Sequence, residues 1–312
     1  MPAFATHYLF LEEIREELEK ETGFSLDYKT AGVGTQGPDI FIFHRLWPPV
    51  TIYKSLFGTA SKIHRGKPAE LFEAFADYLK TSKNRDIALS YIYGFILHYA
   101  LDRNCHPFVY AYQDMITSEN KHIHSLAAHN QVEHAVDTYL LYNRKGIYPP
   151  SLFNPEETFT TDETALSEIA ELMHCVVERC YGRDVERKEI IKAVTDTASL
   201  QATLSDKKGN ATKIAHMIER PLGPLTGYFK LSASIKPKDL DLAQKYANER
   251  HKEWTSLYSH ITSTESFEDL FEKSKCDALE LIKGFNEICE GKKTGYEVTG
   301  NISFLTGLEV TE

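Results

Sequence analysis

The sequence predicts an all-α protein, a multi-helix bundle with additional helices in its C-terminal half. Three observations predict it. Apolar residues recur at three- and four-residue spacing along most of the 312 positions, as on helices with one face turned to a core. The interruptions fall at Gly and Pro, not between alternating polar and apolar runs of the kind that make strands. The stretch from Ile87 to Leu101 is hydrophobic nearly all round, which marks a helix buried at the centre of a bundle.

The elements follow in order. Phe4, Tyr8, Leu11, Ile14 and Leu18 make one face of a helix over 3–22, with His7 on or beside that face and Gly23 closing it. Residues 30–39 are Gly-rich and read as a loop. A phosphate-cradling loop needs a strand before it, a helix after it and a Lys-Ser/Thr pair, and none is evident. Gly37-Pro38 reads instead as a turn that aims Asp39, and Ile40–His44 is open between a strand and a helix start. Trp47-Pro48-Pro49 breaks the chain. Helices are expected over 51–64, ending near His64-Arg65-Gly66, and over 68–82, with Leu71, Phe72, Phe75, Tyr78 and Leu79 inward. The central helix covers 84–104, and Pro107 marks a stop or turn after it. Residues 108–142 resume as helix, broken near 117–121.

Tyr148-Pro149-Pro150 is the clearest break in the chain. It divides a helical core over 1–148 from a helical extension over 149–312, packed on the core as one continuous domain. Helices are expected there over 162–181, with Asp162 as N-cap, and over 184–204. A polar turn over 205–210 precedes a helical pattern over 211–234 that Pro221, Gly223, Pro224 and Gly227 interrupt. Two long amphipathic helices are expected over 237–260 and 266–290, and the tail after Gly291 carries no clear pattern.

Composition narrows the function. The formal net charge is −10 with no basic block, which argues against nucleic acid as a partner. Five cysteines, an odd number without C-x-x-C spacing, read as reduced thiols. No signal peptide and no run of about 18 apolar residues is visible, so a cytoplasmic location is expected. Peripheral membrane contact is not indicated, and composition leaves the oligomeric state open.

The chemistry concentrates in two segments. In the first, His98, Asp102 and His106 lie four apart at the end of the central helix; in the second, His129 and Glu133 are also four apart. Residues four apart point the same way, about one turn along a helix. Burying a carboxylate costs several kcal/mol unless it is paired or bound to a metal. One such pair reads as a plain Asp–His hydrogen bond. Several pairs converging from two helices read better as a divalent metal centre. Imidazole and carboxylate without paired thiolates suit catalytic zinc, and also iron or manganese. Cys105 reads as packing, His134 as core or surface, and Asp137 as a group placed to orient a ligand imidazole.

With Thr6-His7, Gly37-Pro38-Asp39, Gly94-Phe95-x-x-His98-x3-Asp102, His106-Pro107 and His129-x3-Glu133 in that order over roughly 1–145, the chain resembles the zinc-dependent phospholipase C family, which is related to P1/S1-type nucleases. The resemblance implies a helical fold holding two or three zinc ions and hydrolysis of a phosphodiester or phosphomonoester by metal-activated water. It implies Asp39, His98, Asp102 and a further histidine at one zinc, His106, His129 and Glu133 at a second, and His7 with Asp102 at a third. Asp39 is also the candidate general base. The further histidine is His64 or His44; His64 closes a predicted helix beside a Gly, whereas His44 in a Phe-rich stretch reads as a satisfied core residue. The chain departs from the secreted members, whose N-terminal Trp serves the third zinc, because Met1 stands six residues before His7.

The substrate implied is a small-molecule or lipid phosphoester. Two other readings stay open: a different metal-dependent phosphohydrolase, and a non-enzymatic helical metal-binding or scaffold protein. A histidine–aspartate domain is disfavoured because no His is followed directly by Asp.

Overall fold

A computed structural model describes residues 4–46, 55–205 and 235–311. The break at Trp47–Pro49, the first residues of the helix expected over 51–64, and nearly all of the segment expected as a turn and interrupted helix over 205–234 lie outside the described residues.

The described chain is predominantly helical. In order it runs α1 (Phe4–Thr22), α2 (Tyr28–Gly34), a 3₁₀ turn (Gly37–Phe41), α3 (Phe57–Arg65), α4 (Pro68–Leu79), α5 (Arg85–Glu119) and α6 (Ser125–Lys145). Two short 3₁₀ turns (Pro150–Leu152 and Pro155–Thr158) lead to α7 (Glu163–Tyr181) and α8 (Arg187–Leu204). Then come α9 (Leu240–Tyr246), the strands β1 (Trp254–Thr255) and β2 (Thr262–Ser263), α10 (Phe267–Cys289) and α11 (Gly295–Thr299).

Three expectations are corrected, and the unassigned tail gains a structure. The Gly-rich stretch is not a loop: Asp27 caps α2 by accepting from Thr30 N, and Gly32 and Gly34 lie within that helix. Pro107 does not stop the central helix, because α5 runs through it to Glu119. A proline inside a helix costs about 3 kcal/mol. Here the next two residues, Phe108 and Val109, are fully buried, and burial of such side chains offsets a cost of that size. The helix expected over 237–260 is confined to Leu240–Tyr246; Asn248 then takes a left-handed conformation (φ 55°) and its amide donates to Lys252 O and Glu265 O. Those bonds replace the helical ladder and set up an antiparallel hairpin, Trp254 opposite Ser263 and Thr255 opposite Thr262. The tail after Gly291 forms α11, closed at its start by a capping box between Thr294 and Glu297.

Chain contacts divide the structure into two units. One comprises His7–Asn104, Glu156–Leu200 and Lys273–Glu312. Its core is aromatic, with Phe72, Tyr91, Phe95, Tyr99 and Phe285 fully buried. α4 packs on α7 and on α11. α2 meets α5 through Gly34 and Gly94: a Cβ on Gly94 would collide with the Ala31 carbonyl, and one on Gly34 with the Tyr91 carbonyl. Backbone faces backbone there, so neither helix has a side chain to move aside. Gly94→Ala is therefore expected to lower stability by about 1–3 kcal/mol, the usual cost of overpacking. Urea unfolding checks this, and a loss below about 0.5 kcal/mol would contradict the close approach.

The other unit comprises Met1–Thr6, Cys105–Pro155 and Gln201–Glu272. α9 packs on α6. Phe108 meets Trp254 and Phe267 edge-on, at centroid distances of 5.3 and 5.8 Å. Arg144 lies over the Phe271 ring and pairs with Glu268.

Candidate metal centre

The first unit contains a buried group of three imidazoles and two carboxylates. α1 supplies His7, the 3₁₀ turn Asp39, the last turn of α3 His64, and α5 both His98 and Asp102. None is more than 4% exposed. Local structure explains the placement of Asp39. Gly37 has φ +52°, and a Cβ there would run into the His98 ring, so only glycine lets the turn pass this close. Pro38 follows as the second residue of the 3₁₀ turn that carries Asp39.

Two of the imidazoles are oriented by backbone carbonyls. His98 Nδ1 donates to Thr35 O at 3.0 Å and His64 Nδ1 to Ala60 O at 2.9 Å. A carbonyl only accepts, so Nδ1 carries the proton and Nε2 presents its lone pair. Those Nε2 atoms face carboxylates. His98 Nε2 is 3.1 Å from Asp102 Oδ2, and His64 Nε2 is 3.2 Å from Asp39 Oδ1 and 3.7 Å from Asp102 Oδ2. His7 Nε2 lies 3.4 Å from Asp102 Oδ1, and its ring stacks on His98 at 4.3 Å. Yet His64 Nε2, His98 Nε2, Asp39 Oδ1 and both nitrogens of His7 lack hydrogen-bond geometry to any partner among the described residues. Burial pushes the His7 pKa down, with His98 adding to it. Burial also lowers His98, but the Asp102 carboxylate, with Asp39 and the bond to the Thr35 carbonyl, more than offsets it and leaves that pKa raised.

In the second unit, α5 supplies His106, and α6 supplies His129 and Glu133. His129 Nε2 lies 2.8 Å from Glu133 Oε1. Its Nδ1 bonds Gln113 Oε1 at 2.9 Å, so the amide oxygen fixes the ring as the backbone carbonyls fix His98 and His64. The His106 and His129 rings stack at 5.9 Å, and Tyr110 packs against both, at 5.6 and 5.1 Å.

The donor sets fit a divalent metal. Three triads bring their ligand atoms within 4.8 Å of one another: His7, Asp39 and His98; His64, His98 and Asp102; His106, His129 and Glu133. Buried imidazole nitrogens without hydrogen bonds cost free energy, and a cation among them removes that cost. Imidazole and carboxylate donors are those of catalytic zinc.

All eight residues named from the sequence fall in these two groups. His44 does not. It is fully buried, its Nε2 lies 2.9 Å from Glu189 Oε2, and its Nδ1 accepts from Leu56 N. That pattern needs a neutral ring. Burial lowers the His44 pKa, against the pull of Glu189. A lowered folded pKa means that the unfolded chain binds more protons below about 6.5, so stability from His44 is complete above that pH and lost as pH falls through the folded value. Urea unfolding from pH 7.5 to 5 should show a steeper loss in the wild type than in His44→Gln; equal slopes would contradict the neutral assignment.

Among the described residues the Asp137 carboxylate bonds no imidazole; it accepts from Ala5 N, Thr6 N and Thr6 Oγ1. Two residues at the site escaped the sequence reading. Gln113 is seven residues after His106, hence on the same face of α5, and that spacing was a usable signal. Phe304 in the tail packs edge-on against His64 at 5.6 Å and tilts against His98 at 6.2 Å. A lone aromatic in an unpatterned tail gives no such signal. A cavity of about 790 Å³ lined by Tyr112, Met115, Lys245, Trp254 and Leu257 among others includes none of the ligand candidates, so volume alone does not mark the site.

An all-helical chain carrying such imidazole–carboxylate groups fits the class of metal-dependent hydrolases. The family model for zinc-dependent phospholipase C matches residues 6–189, more than half of the chain and a span that includes every ligand candidate, and the chain belongs to that family. Comparison with curated proteins and with solved structures finds no match. Among the described residues no helix is long and apolar enough to cross a membrane.

Proposed function

We propose that this protein is a zinc-dependent phosphoester hydrolase acting on a small-molecule or lipid phosphoester. The observation that carries the reading is the set of buried, oriented imidazole nitrogens that face carboxylates without hydrogen-bonding to them. Membership of the zinc-dependent phospholipase C family supports it.

His64, His98, Asp39 and Asp102, with His7 beside them, would hold zinc in one unit, and His106, His129 and Glu133 in the other. Bound zinc lowers the pKa of water to about 7 and neutralises charge on phosphoryl oxygens. The chain's residues supply the rest. Thr35 O, Ala60 O and Gln113 Oε1 hold the imidazoles in one tautomer, which keeps Nε2 available as a ligand. Asp39 would accept the proton of the attacking water at its carboxylate while the new P–O bond forms and the bond to the leaving oxygen breaks. The departing alkoxide takes up a proton from solvent to leave as the alcohol, and Asp39 returns its own proton to solvent. Burial excludes bulk water from Asp39, where only 4% of the residue is exposed.

The test is elemental analysis of the purified protein, then a panel of phosphodiesters and phosphomonoesters. At least two zinc ions per chain are expected, with turnover lost to a chelator and restored by zinc. Absence of bound metal would overturn the reading. Zinc without turnover across the panel would favour a helical metal-binding protein without catalysis.

A further inference from the structure

The groups around His106 and His129 form a series that leads outward. His106 is fully buried and the His129 side chain is 12% exposed. Tyr110 packs against both, and Tyr258 meets Tyr110 edge-on at 5.5 Å with an interplanar angle of 85°. Tyr258 is 39% exposed. Four rings thus run from the buried ligand candidates to solvent.

Tyr258 sits on the hairpin turn between β1 and β2, outside the matched segment 6–189. The turn is built rather than loose. Ser256 N donates to Ile261 O at 3.0 Å, His260 N to Ser256 O at 3.1 Å, and Ser256 Oγ accepts from both Tyr258 N and Ser259 N. His260 takes φ +57° to close it. At the base, Trp254 Nε1 donates to Glu265 O, and Thr255 and Thr262 pair through their hydroxyls. Tyr258 is flanked by Leu257, 41% exposed, and followed by Ile261, 68% exposed. Single exposed apolar residues are ordinary, but three within five positions at the end of a ring series that begins at ligand candidates are a different matter.

We infer that Tyr258 is a substrate-positioning residue: its ring, with Tyr110, receives the organic group esterified to phosphate when the phosphoryl group lies at His106, His129 and Glu133. The inference rests on the phosphoester-hydrolase reading and adds to it a specificity element from the C-terminal part of the chain. Ring faces and edges bind flat or apolar groups by contact and give nothing to a bare phosphate. The selectivity is therefore for phosphoesters whose alcohol is large and apolar or aromatic.

Calorimetric titration of the zinc-loaded full chain with phenylphosphonate, whose C–P bond is not cleaved by ester hydrolysis, and with inorganic phosphate tests this without turnover. Tyr258→Ala should weaken phenylphosphonate binding about five- to tenfold, leave inorganic phosphate affinity and zinc content unchanged, and raise KM for aryl esters more than it lowers kcat. Tyr258→Phe keeps the ring and should behave as wild type. Equal phenylphosphonate affinity in Tyr258→Ala and wild type would overturn the inference, as would an equal loss for inorganic phosphate. Failure of the wild type to bind inorganic phosphate at all would instead remove the phosphoester reading, and this inference with it.

Discussion

Asp102→Ala is expected to lose most of the metal bound by His7, Asp39, His64 and His98, and this is the largest functional effect that the site predicts. Asp102 is fully buried, and three imidazole nitrogens lie within 3.7 Å of its oxygens, those of His98, His7 and His64. A cation held there has Asp102 as its central negative charge. Without it, three imidazoles and Asp39 remain, and affinity should fall by more than the roughly 10–100-fold seen when a mere orienting partner is lost. His106, His129 and Glu133 do not include Asp102, so zinc content should drop to a residual level rather than to zero. Stability gives a second readout. Metal that binds only the folded chain stabilises it by about 2.7 kcal/mol at a hundredfold excess over Kd. Chelation should therefore destabilise wild type clearly and Asp102→Ala much less. Asp102→Asn, nearly isosteric, guards against a variant that simply fails to fold. Full zinc content in both variants would remove Asp102 from the ligand set. Acid acts in the same direction. The Asp102 carboxylate raises the His98 pKa against burial, so protons would compete with metal for His98 as pH falls.

The sequence carried the fold class because burial follows helix periodicity. The face predicted for α1 is buried at Phe4, Leu11, Ile14 and Leu18, with Tyr8 half-buried. Asp162 caps α7 by accepting from Ala165 N, as the N-cap pattern required. Ligand candidates were legible because histidine and aspartate four apart on an otherwise apolar helix conflict with burial unless something compensates them. What was not legible depended on contacts distant in sequence. Gly32 and Gly34 look like loop residues until the Thr158 carbonyl is placed against the first and Gly94 of α5 against the second. Pro107 looks like a stop until Phe108 meets Trp254 and Phe267. Leu240–Tyr246 reads on as one helix to 260 because the amphipathic pattern continues, whereas the side chain of Asn248 diverts the backbone through bonds to residues four to seventeen positions on. Such side-chain bonds compete with a helical ladder without disturbing its hydrophobic period.

Asp137→Ala is expected to cost about 3–5 kcal/mol, the largest stability effect in the chain, because it breaks a buried ion pair and a helix cap together. Asp137 is fully buried; its Oδ1 accepts from Thr6 N at 2.8 Å and Thr6 Oγ1 at 2.7 Å, and its Oδ2 from Ala5 N at 3.1 Å. Those amides belong to the first turn of α1, where no intrahelical acceptor exists and a negative charge is favoured. Lys236 Nζ completes the set at 3.2 Å from Oδ2 and is 8% exposed. Removing the carboxylate strands a buried ammonium and three donors. Removing both charges strands less, so Asp137→Leu with Lys236→Met should be less destabilised than the sum of its single variants, and urea unfolding of the four proteins measures that coupling. His134 gives an independent probe. Burial, reinforced by Lys236, lowers its pKa to about 4; Lys236→Met should raise it, visible as an upward shift in the imidazole NMR titration. The same variants separate a cap from a group that orients a metal ligand. A cap predicts lost stability with the zinc of His106, His129 and Glu133 retained in the folded fraction. A loss of that zinc at unchanged stability would return Asp137 to the metal centre.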